Sequence, residues 1–256
     1  YVSKRCNSTQ TVKMDKIEII GGVPLKGRVK ISGAKNSALP IMAACLLTEK
    51  KISISNVPEL SDINSMINLL ESLNVKIKKK EKKLELNSYK PSSLVASYEL
   101  VRKMRASFLI LGPLIARYGS ASVSMPGGCA IGTRPVDLHL MGLEKMGVRF
   151  KIESGYVTGK IDGRLKGATI DFDQISVGAT ENVIMAATLA EGETIINNAA
   201  REPEITDLSK MLIKMGANIK GHGTRKISII GKESLSGCIH EIMPDRIESG
   251  TFALCV

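Results

Sequence analysis

Three segments of the chain repeat one pattern, and this repetition constrains the fold more than any other feature. Each begins with an Asp, continues as an amphipathic helix with Leu and Met at i, i+3, i+4 and i+7, and passes through a turn residue into a strand. The segments are 62–77, 137–150 and 207–219. We expect each initial Asp to be an N-cap, and Asn74, Gly147 and Gly216 to take left-handed positions after the helices.

The turn residues of the three segments are about 70 residues apart, a spacing too long for a short-repeat solenoid. A second repeated element precedes these segments. The Ala-rich stretches 37–47 and 180–190 resemble each other, and 106–116 is their third partner. All three are predicted to be buried helices. Short strands are predicted at 51–55, 155–161, 168–172, 194–198 and 226–230. The pattern predicts an α/β domain of three repeated units around a common core.

Composition limits the classes of partner. Hydrophobic residues make up 43% of the chain, but aromatic residues only 4%, so the core must be aliphatic. The net charge of +11 is spread along the chain, and its one dense run, 76–83, is predicted to be an exposed hairpin. No aromatic residues interleave with the charges, so nucleic acid ranks last among the partners considered and is not expected. A positive field also suits anionic substrates.

Cysteine usage indicates a reducing compartment, and we expect the protein in the cytoplasm. The five cysteines are Cys6, Cys45, Cys129, Cys238 and Cys255. They are widely spaced and form no CxxC pair, which argues against a disulfide framework or a zinc site. Neither a metal nor a cofactor is predicted. The longest apolar runs, 39–47 and 108–116, are too short to span a bilayer.

The ends of the sequence carry two expectations. Residues 1–13 are polar, lack the apolar region of a secretory signal, and are read as an N-terminal extension of unknown role. Met14 is the expected natural start. At the other end, the run 250–256 is apolar and carries neither a cap nor a turn, so the sequence is expected to continue beyond Val256.

The segment 125–139 is the most informative for chemistry. Its three Gly and two Pro predict a loop with unusual backbone angles. Cys129 lies on this loop five residues before Arg134. A thiol close to a cation is stabilised as the reactive thiolate, so we interpret Cys129 as functional rather than as a small buried residue. Arg134 suits a phosphate. For His139, packing and ligand contact remain open.

Three further segments predict anion-compatible helix starts. In 31–40 a strand ends and a helix begins near Asn36, where Lys35 would add a full positive charge. Arg102, Lys103 and Arg105 open an apolar helix, and 174–180 is a turn from a strand into a helix. Each alone is also typical of ordinary capping or surface charge.

Taken together, these segments resemble the bacterial UDP-N-acetylglucosamine 1-carboxyvinyltransferase family. The motifs that carry the resemblance are SGAKN (32–36), MRAS (104–107), PGGCAIGTRPVDLH (126–139), DGRLKGA (162–168), SVGAT (176–180), AREPEI (200–205) and PDRIESGTF (244–252). The resemblance starts at Met14 and runs to the last residue. It implies two domains, each an inside-out α/β barrel of three repeated units. Residues 35–243 would be the first domain, and 14–34 and 244–256 pieces of an incomplete second domain.

The resemblance also implies a reaction. The enolpyruvyl group would pass from phosphoenolpyruvate to the 3-hydroxyl of UDP-N-acetylglucosamine with release of phosphate, the first committed step of peptidoglycan precursor synthesis. Cys129 would be the proton donor to the enol carbon and the site of covalent adducts. Lys35, Asn36 and Arg134 would bind phosphoenolpyruvate. The residues implied to bind the UDP-sugar are Arg105, Arg134, Pro135, Val136, Asp137, Leu138, Gln174, Ile175, Ser176 and Val177.

One departure and three alternatives accompany this interpretation. Gln174 stands where many family members have Lys, which would weaken a nucleotide contact. The implied catalytic Asp and a further phosphate-binding Arg belong to the part of the family's sequence that follows Val256. The alternatives are a sister enolpyruvyl transferase acting on shikimate phosphate, a catalytically incomplete UDP-N-acetylglucosamine-binding protein, and, last, a nucleic-acid-binding protein. The sequence leaves the oligomeric state open.

Overall fold

Three four-stranded sheets with one shared strand order enclose the buried helices. The computed structural model describes residues 18, 20–22, 26–102, 104–125 and 136–254. The predicted extension 1–13 and the loop 126–135 lie outside these residues. The strands are β1 (Ile52–Ser55), β2 (Val75–Lys80), β3 (Lys83–Ser88), β4 (Val95–Ala96), β5 (Ser120–Ser124), β6 (Arg149–Glu153), β7 (Tyr156–Lys160), β8 (Thr169–Asp171), β9 (Glu193–Asn197), β10 (Asn218–Lys220), β11 (Lys226–Ile230) and β12 (Cys238–Glu241).

The sheets follow the orders β12-β1-β3-β2, β4-β5-β7-β6 and β8-β9-β11-β10. In each, the first strand runs parallel to the second and the other two pairings are antiparallel. Each unit therefore contains a strand, a buried helix, a second strand, an amphipathic helix and a hairpin. The three predicted repeats are confirmed by this shared order.

Two kinds of helix fill the space between the sheets. The helices are α1 (Lys35–Ala43), α2 (Ser61–Ser72), α3 (Tyr98–Val101), α4 (Leu111–Tyr118), α5 (Asp137–Lys145), α6 (Val177–Ala187), α7 (Pro203–Lys214) and α8 (Arg246–Ala253), with 3-10 helices at Ala44–Leu47 and Arg105–Ile110. Most residues of α1, α4 and α6 are buried, as the Ala-rich stretches predicted. In α2, α5 and α7 the apolar face is buried and other positions remain exposed.

The first unit is completed by the far end of the described chain. Strand β12 pairs in parallel with β1, with Ile52 opposite Cys238. In the other two units the corresponding strands, β4 and β8, come before their buried helices in the chain, β8 directly and β4 with α3 and a 3-10 helix between. The repeat pattern did not predict this closure, because local sequence does not indicate which distant strand will pair with β1.

The turn residues after the amphipathic helices behave as predicted. Asn74, Gly147 and Gly216 have positive φ values of 61°, 99° and 101°. The residues after Gly147 and Gly216 donate hydrogen bonds to carbonyls of the last helical turn. The Val148 N–H donates to Leu143, and the Ala217 N–H donates to Leu212. These contacts satisfy carbonyl groups that the helix itself leaves unpaired.

The prediction that each initial Asp is an N-cap is wrong. Asp62 is the second residue of α2 and Asp137 the first of α5, and neither helix has a side-chain cap at its N-cap position. Asp207 lies inside α7, which begins at Pro203. Proline suits the first turn, where its missing N–H costs nothing, so α7 starts one turn earlier than the Asp pattern predicted.

The basic run at 76–83 forms the predicted hairpin. Strands β2 and β3 pair from Val75 opposite Ser88 to Lys80 opposite Lys83. Strand β2 lies at the edge of its sheet, where exposed lysines also discourage pairing with another chain. Across the described part of the chain, none of the helices has the length and apolar character needed to cross a membrane.

Two chain passages lie side by side at one edge of the three units. The Ala34 N–H donates to the Met243 carbonyl at 2.8 Å, and the Asp245 N–H donates to the Ser32 carbonyl at 2.8 Å. Beyond this crossing, α8 buries none of its residues against the rest of the described chain. The predicted division into 35–243 and two pieces of a second domain remains a prediction.

Candidate active site

The starts of the helices meet at one end of the three units. The Lys35 ammonium lies 2.9 Å from the Asp62 carboxylate and joins the starts of α1 and α2. The Ser37 hydroxyl donates to Asp207 and joins α1 to α7. The Thr180 hydroxyl, in the first turn of α6, accepts from the Ala200 N–H at 3.2 Å and joins α6 to the chain just before α7.

The same end also holds the start of α5 and the 3-10 helix that begins at Arg105. A Cβ placed on Gly178, in the first turn of α6, would lie 3.1 Å from the His139 ring of α5. The His139 ring in turn packs edge-on against Phe108, with ring centroids 5.3 Å apart. The helix starts thus form a continuous series of neighbours.

Few of these helix starts are closed by the chain itself. Among α1, α2, α5, α6, α7 and the 3-10 helix at Arg105–Ile110, only α6 has a side-chain hydrogen bond from its N-cap. There the Ser176 hydroxyl accepts from the Ala179 N–H at 3.3 Å. The first N–H groups of a helix have no partner within the helix and carry its positive dipole end. Several such ends together make a site suited to anions.

Lys35 and Asn36 occupy the first turn of α1, as the sequence predicted. The side chain of Lys35 is 39% exposed and Asn36 is also exposed, so both can reach a ligand. The ion pair of Lys35 with Asp62 is partly solvated and contributes only up to about 1 kcal/mol to stability. Lys35 is therefore held in place without being buried.

The two predicted backbone stretches lie at neighbouring helix starts. Gln174 and Ile175 are exposed in the turn between β8 and α6, followed by half-buried Ser176 and Val177. Val136 is buried at the N-cap of α5, with Asp137 and Leu138 in the first turn. Gly178 and His139 bring the two starts together. The geometry therefore places these stretches near one another, while their role as ligand contacts remains a prediction.

His139 packs and makes hydrogen bonds at the junction of these helices. Asn182 Nδ2 lies 3.0 Å from His139 Nδ1 and 3.3 Å from the Phe108 carbonyl, and Asn182 Oδ1 accepts from the Gly112 N–H at 2.7 Å. Burial, followed by the positive charge of Arg105, lowers the pKa of His139 to about 4. His139 is therefore neutral near neutral pH, and it packs at the start of α5 against Phe108 and beside Asn182.

An acidic group lies beside this junction. Glu181 is only 3% exposed and its Oε1 has no hydrogen-bond partner. Burial, together with Glu204 and Glu202, raises the pKa of Glu181 well above its ordinary value. Glu204 receives a hydrogen bond from Arg246 Nε at 3.0 Å, which links α7 to α8. Glu181 is thus driven toward its neutral form and adds little negative charge to the site.

Three predicted site residues lie outside the described residues. They are Cys129, Arg134 and Pro135. Their roles are neither supported nor opposed by the geometry. The residues on either side of the loop are described: Met125 follows β5, and Val136 is the N-cap of α5.

The sequence interpretation missed several polar residues at this end. Asn182 and Glu181 lie in a helix predicted only as buried, although two polar residues inside an Ala-rich run are unusual and could have signalled a hydrogen-bond network. Ser37 and Asp207 were assigned to a helix and a cap, and their contact across the sequence could not be seen. Within the described ranges, no group of three or more His, Cys, Asp or Glu could hold a metal ion.

Comparison with known proteins agrees with the predicted resemblance. A UDP-N-acetylglucosamine 1-carboxyvinyltransferase from Paramagnetospirillum magneticum is 54% identical over 94% of this chain, and one from Rhodospirillum centenum is 56% identical over 94%. One from Acinetobacter baylyi is 54% identical over 93%. The chain spans 58%, 58% and 57% of these three relatives, respectively.

Solved structures share the fold. The enolpyruvyl transferase NikO from Streptomyces tendae superposes with a TM-score of 0.80 at 23% identity, over 91% of this chain and 55% of NikO. An EPSP synthase from Acinetobacter baumannii gives 0.72 at 22% identity, over 91% of this chain and 53% of that protein. The predicted enolpyruvyl transferase-like α/β fold is confirmed. Because the sequence also matches the corresponding family across residues 19–256, the chain belongs to the EPSP synthase (3-phosphoshikimate 1-carboxyvinyltransferase) family.

Proposed function

We propose that this chain supplies one side of the active site of an enolpyruvyl transferase that uses phosphoenolpyruvate and UDP-N-acetylglucosamine. In the reaction the 3-hydroxyl of the sugar gives its proton to a general base and its oxygen bonds to C2 of phosphoenolpyruvate, while C3 gains a proton from a general acid. Loss of a C3 proton and cleavage of the bond to the phosphate oxygen then give the enolpyruvyl ether and phosphate.

One observation carries this proposal: several helices, most of them without a side-chain cap, start close to Lys35. Both substrates are anions, and the reaction releases a third anion, so the site must stabilise negative charge. The starts of α1, α5, α6 and α7 and the ammonium of Lys35 offer this. The names of the similar relatives support the choice of substrates.

We assign the roles from position. Lys35 and Asn36, exposed at the start of α1, bind the phosphate and carboxylate of phosphoenolpyruvate together with Arg134. Arg105 and the start of α6 at Gln174–Val177 bind the UDP-sugar. The segment Arg134–Leu138 completes that contact through its backbone. The segments Gln174–Val177 and Arg134–Leu138 contact the nucleotide through backbone groups. Gln174 in place of Lys therefore still permits nucleotide binding.

Cys129 is assigned as the proton donor to C3. The two cysteines that the structure describes, Cys45 and Cys238, contrast with this role. Burial raises the pKa of Cys45 to about 12, and burial also raises the pKa of Cys238. Neither thiol is set up to exchange a proton near neutral pH. We place the reaction in the cytoplasm, where free thiols persist.

The test is phosphate release by the complete gene product in the presence of both substrates. We expect release that requires both phosphoenolpyruvate and UDP-N-acetylglucosamine and that falls by about 100-fold or more in Cys129→Ala, in the range expected for loss of general acid catalysis. The matched control is Cys238→Ala, which removes a half-buried thiol on β12 and should retain release.

Two further measurements separate the alternatives. An epoxide of the fosfomycin type should label Cys129 and leave Cys45 unlabelled, as peptide mass spectrometry would show. Shikimate 3-phosphate should neither replace UDP-N-acetylglucosamine as substrate nor compete with it. Competition by shikimate phosphate, with no effect of the UDP-sugar, would assign the protein to the sister activity. UDP-sugar binding with no phosphate release would leave a binding protein.

A further inference from the structure

One buried carboxylate ties together three parts of the chain near the candidate phosphoenolpyruvate residues. Asp207 of α7 is 7% exposed. Its Oδ2 accepts from the Ser37 hydroxyl at 2.5 Å and from the Met243 N–H at 3.1 Å. Its Oδ1 accepts from His240 Nε2 at 3.0 Å. A buried carboxylate is retained only with such partners, because an unpaired buried charge is costly.

Two of the partners of Asp207, Ser37 and Met243, contact the start of α1. Ser37 is fully buried and follows Lys35 and Asn36 in the first turn of α1. Met243 belongs to the crossing where the chain leaves the three units, and its carbonyl also accepts from the Ala34 N–H directly before α1. The carboxylate therefore holds the start of α1 from two sides, through the Ser37 side chain and through the backbone of Met243, whose carbonyl accepts from the Ala34 N–H.

His240 completes the arrangement from β12. Lys214 Nζ lies 3.4 Å from His240 Nδ1, so this nitrogen is the acceptor and Nε2 donates to Asp207. The hydrogen bonds from His240, Ser37 and Met243 together outweigh the opposite effect of burial and lower the pKa of Asp207. Ser37 and His240 use different oxygens of the carboxylate, so the group orients Ser37 and does not activate it as a nucleophile.

We infer that Asp207 is a positioning residue for phosphoenolpyruvate binding, acting through Ser37 and Met243 on Lys35 and Asn36. This inference rests on the proposed function. Asp207 has no place in the reaction itself, since its carboxylate is buried and fully engaged. It fixes the direction in which α1 presents its first turn, and thereby the distance between the ammonium of Lys35 and a bound phosphate. A shift of an ångström at such a site is enough to weaken binding strongly.

The test compares Asp207→Asn and Ser37→Ala with the wild-type complete gene product. An Asn side chain has one acceptor oxygen for three donors, and its NH₂ group faces a donor. We expect the KM for phosphoenolpyruvate to rise about tenfold or more in Asp207→Asn and about threefold in Ser37→Ala, while the KM for UDP-N-acetylglucosamine stays within about twofold. The control is Asp162→Asn, an 88% exposed carboxylate paired with Arg149, which should leave both constants unchanged.

Ser37→Ala keeps a good helix former at a helical position, so it tests the inference even if Asp207→Asn does not fold. Equal rises in both KM values would indicate a general structural role and overturn the inference, as would no change in either variant. Hydrogen exchange supplies a readout that does not need activity: the amides of 35–38 and 243 should exchange faster in both variants, and those of 149–160 should not. If the wild type releases no phosphate, the proposed function fails, while hydrogen exchange still decides whether Asp207 orders the start of α1.

Discussion

The two ends of the buried helices are built in different ways. Where the helices start, most of the N–H groups are left without side-chain caps, as described above. Where they end, the chain closes its own carbonyls. Arg117 Nη1 donates to the carbonyls of Leu46 at 2.9 Å and Thr48 at 3.2 Å. Arg164 Nη2 donates to the carbonyls of Leu189 at 3.1 Å and Lys232 at 2.7 Å.

This contrast indicates that the end where the buried helices finish serves stability and the end where they start serves binding. At the finishing end, the two arginines bring positive charge to the negative ends of the helix dipoles and also pair with free carbonyls, which stabilises the fold. A cavity there is lined by both arginines, but their donors are already engaged by carbonyls of the chain. At the starting end the donors remain open for a ligand. We therefore expect substitutions at the two ends to have opposite consequences.

The largest expected effect on stability is at the finishing end. Arg117→Met keeps much of the apolar side chain but removes the hydrogen bonds to Leu46, Thr48 and Ser88. The free energy of unfolding should fall by about 3 kcal/mol, because buried acceptors lose a charged donor. UDP-N-acetylglucosamine affinity measured by calorimetry should not change.

The matched change at the starting end is Lys35→Met. Its ion pair with Asp62 is partly exposed, so the free energy of unfolding should fall by less than about 1 kcal/mol, whereas phosphoenolpyruvate binding should be largely lost. Urea unfolding and substrate titration of the two variants check the pair. The comparison fails if Arg117→Met weakens substrate binding more than Lys35→Met does.

A smaller effect should appear as a pH dependence at the starting end. The pKa of His139 is lowered to about 4 in the folded chain, below its unfolded value. The unfolded chain therefore takes up a proton first as pH falls, and stability present above about pH 6.5 should be lost between there and pH 4, by about 2 kcal/mol at pH 5. Urea unfolding at pH 8, 6 and 5 measures this loss, and His139→Gln should reduce it.

Two carboxylates also make the free energy of unfolding depend on pH. One acts at lower pH than His139, and the other acts in the opposite direction. The lowered pKa of Asp207 affects stability only as pH falls through and below the ordinary aspartate range. The raised pKa of Glu181 has the opposite sign, since it makes the fold more stable as pH falls. The difference between wild type and His139→Gln cancels both. An identical pH dependence in the two proteins would show that His139 does not contribute.

The smallest effect is expected at Ser176, which provides the one side-chain cap among the six helix starts of the candidate site. Ser176→Ala removes the hydrogen bond from the Ala179 N–H and leaves the backbone contact between the Ser176 carbonyl and the Thr180 N–H. The free energy of unfolding should fall by about 1 kcal/mol, the usual cost of losing such a cap. Thermal unfolding of the variant measures this. A loss above about 3 kcal/mol would mean that this end, too, is built mainly for stability.

Much of the fold could be predicted because it is encoded by local periodicity. The Ala-rich helices, the left-handed Asn74 and Gly216, and the hairpin at 76–83 each follow from neighbouring residues in the chain. The Asp207 N-cap was predicted wrongly for the same reason. An Asp before an apolar repeat satisfies the local pattern. The pattern cannot show that the buried Ser37 and His240 both bond to the Asp207 carboxylate.

The sequence by itself determined the three repeated α/β units, the aliphatic core and the motifs that place this chain in its family, because period, composition and short motifs are properties of neighbouring residues. Only the tertiary structure decided that β12 closes the first sheet, that the helix starts meet at one end, and that Asp207 joins α1 to the chain crossing. Each of these depends on contacts between residues far apart in the chain, and such contacts form only when the packed units bring them within hydrogen-bond distance.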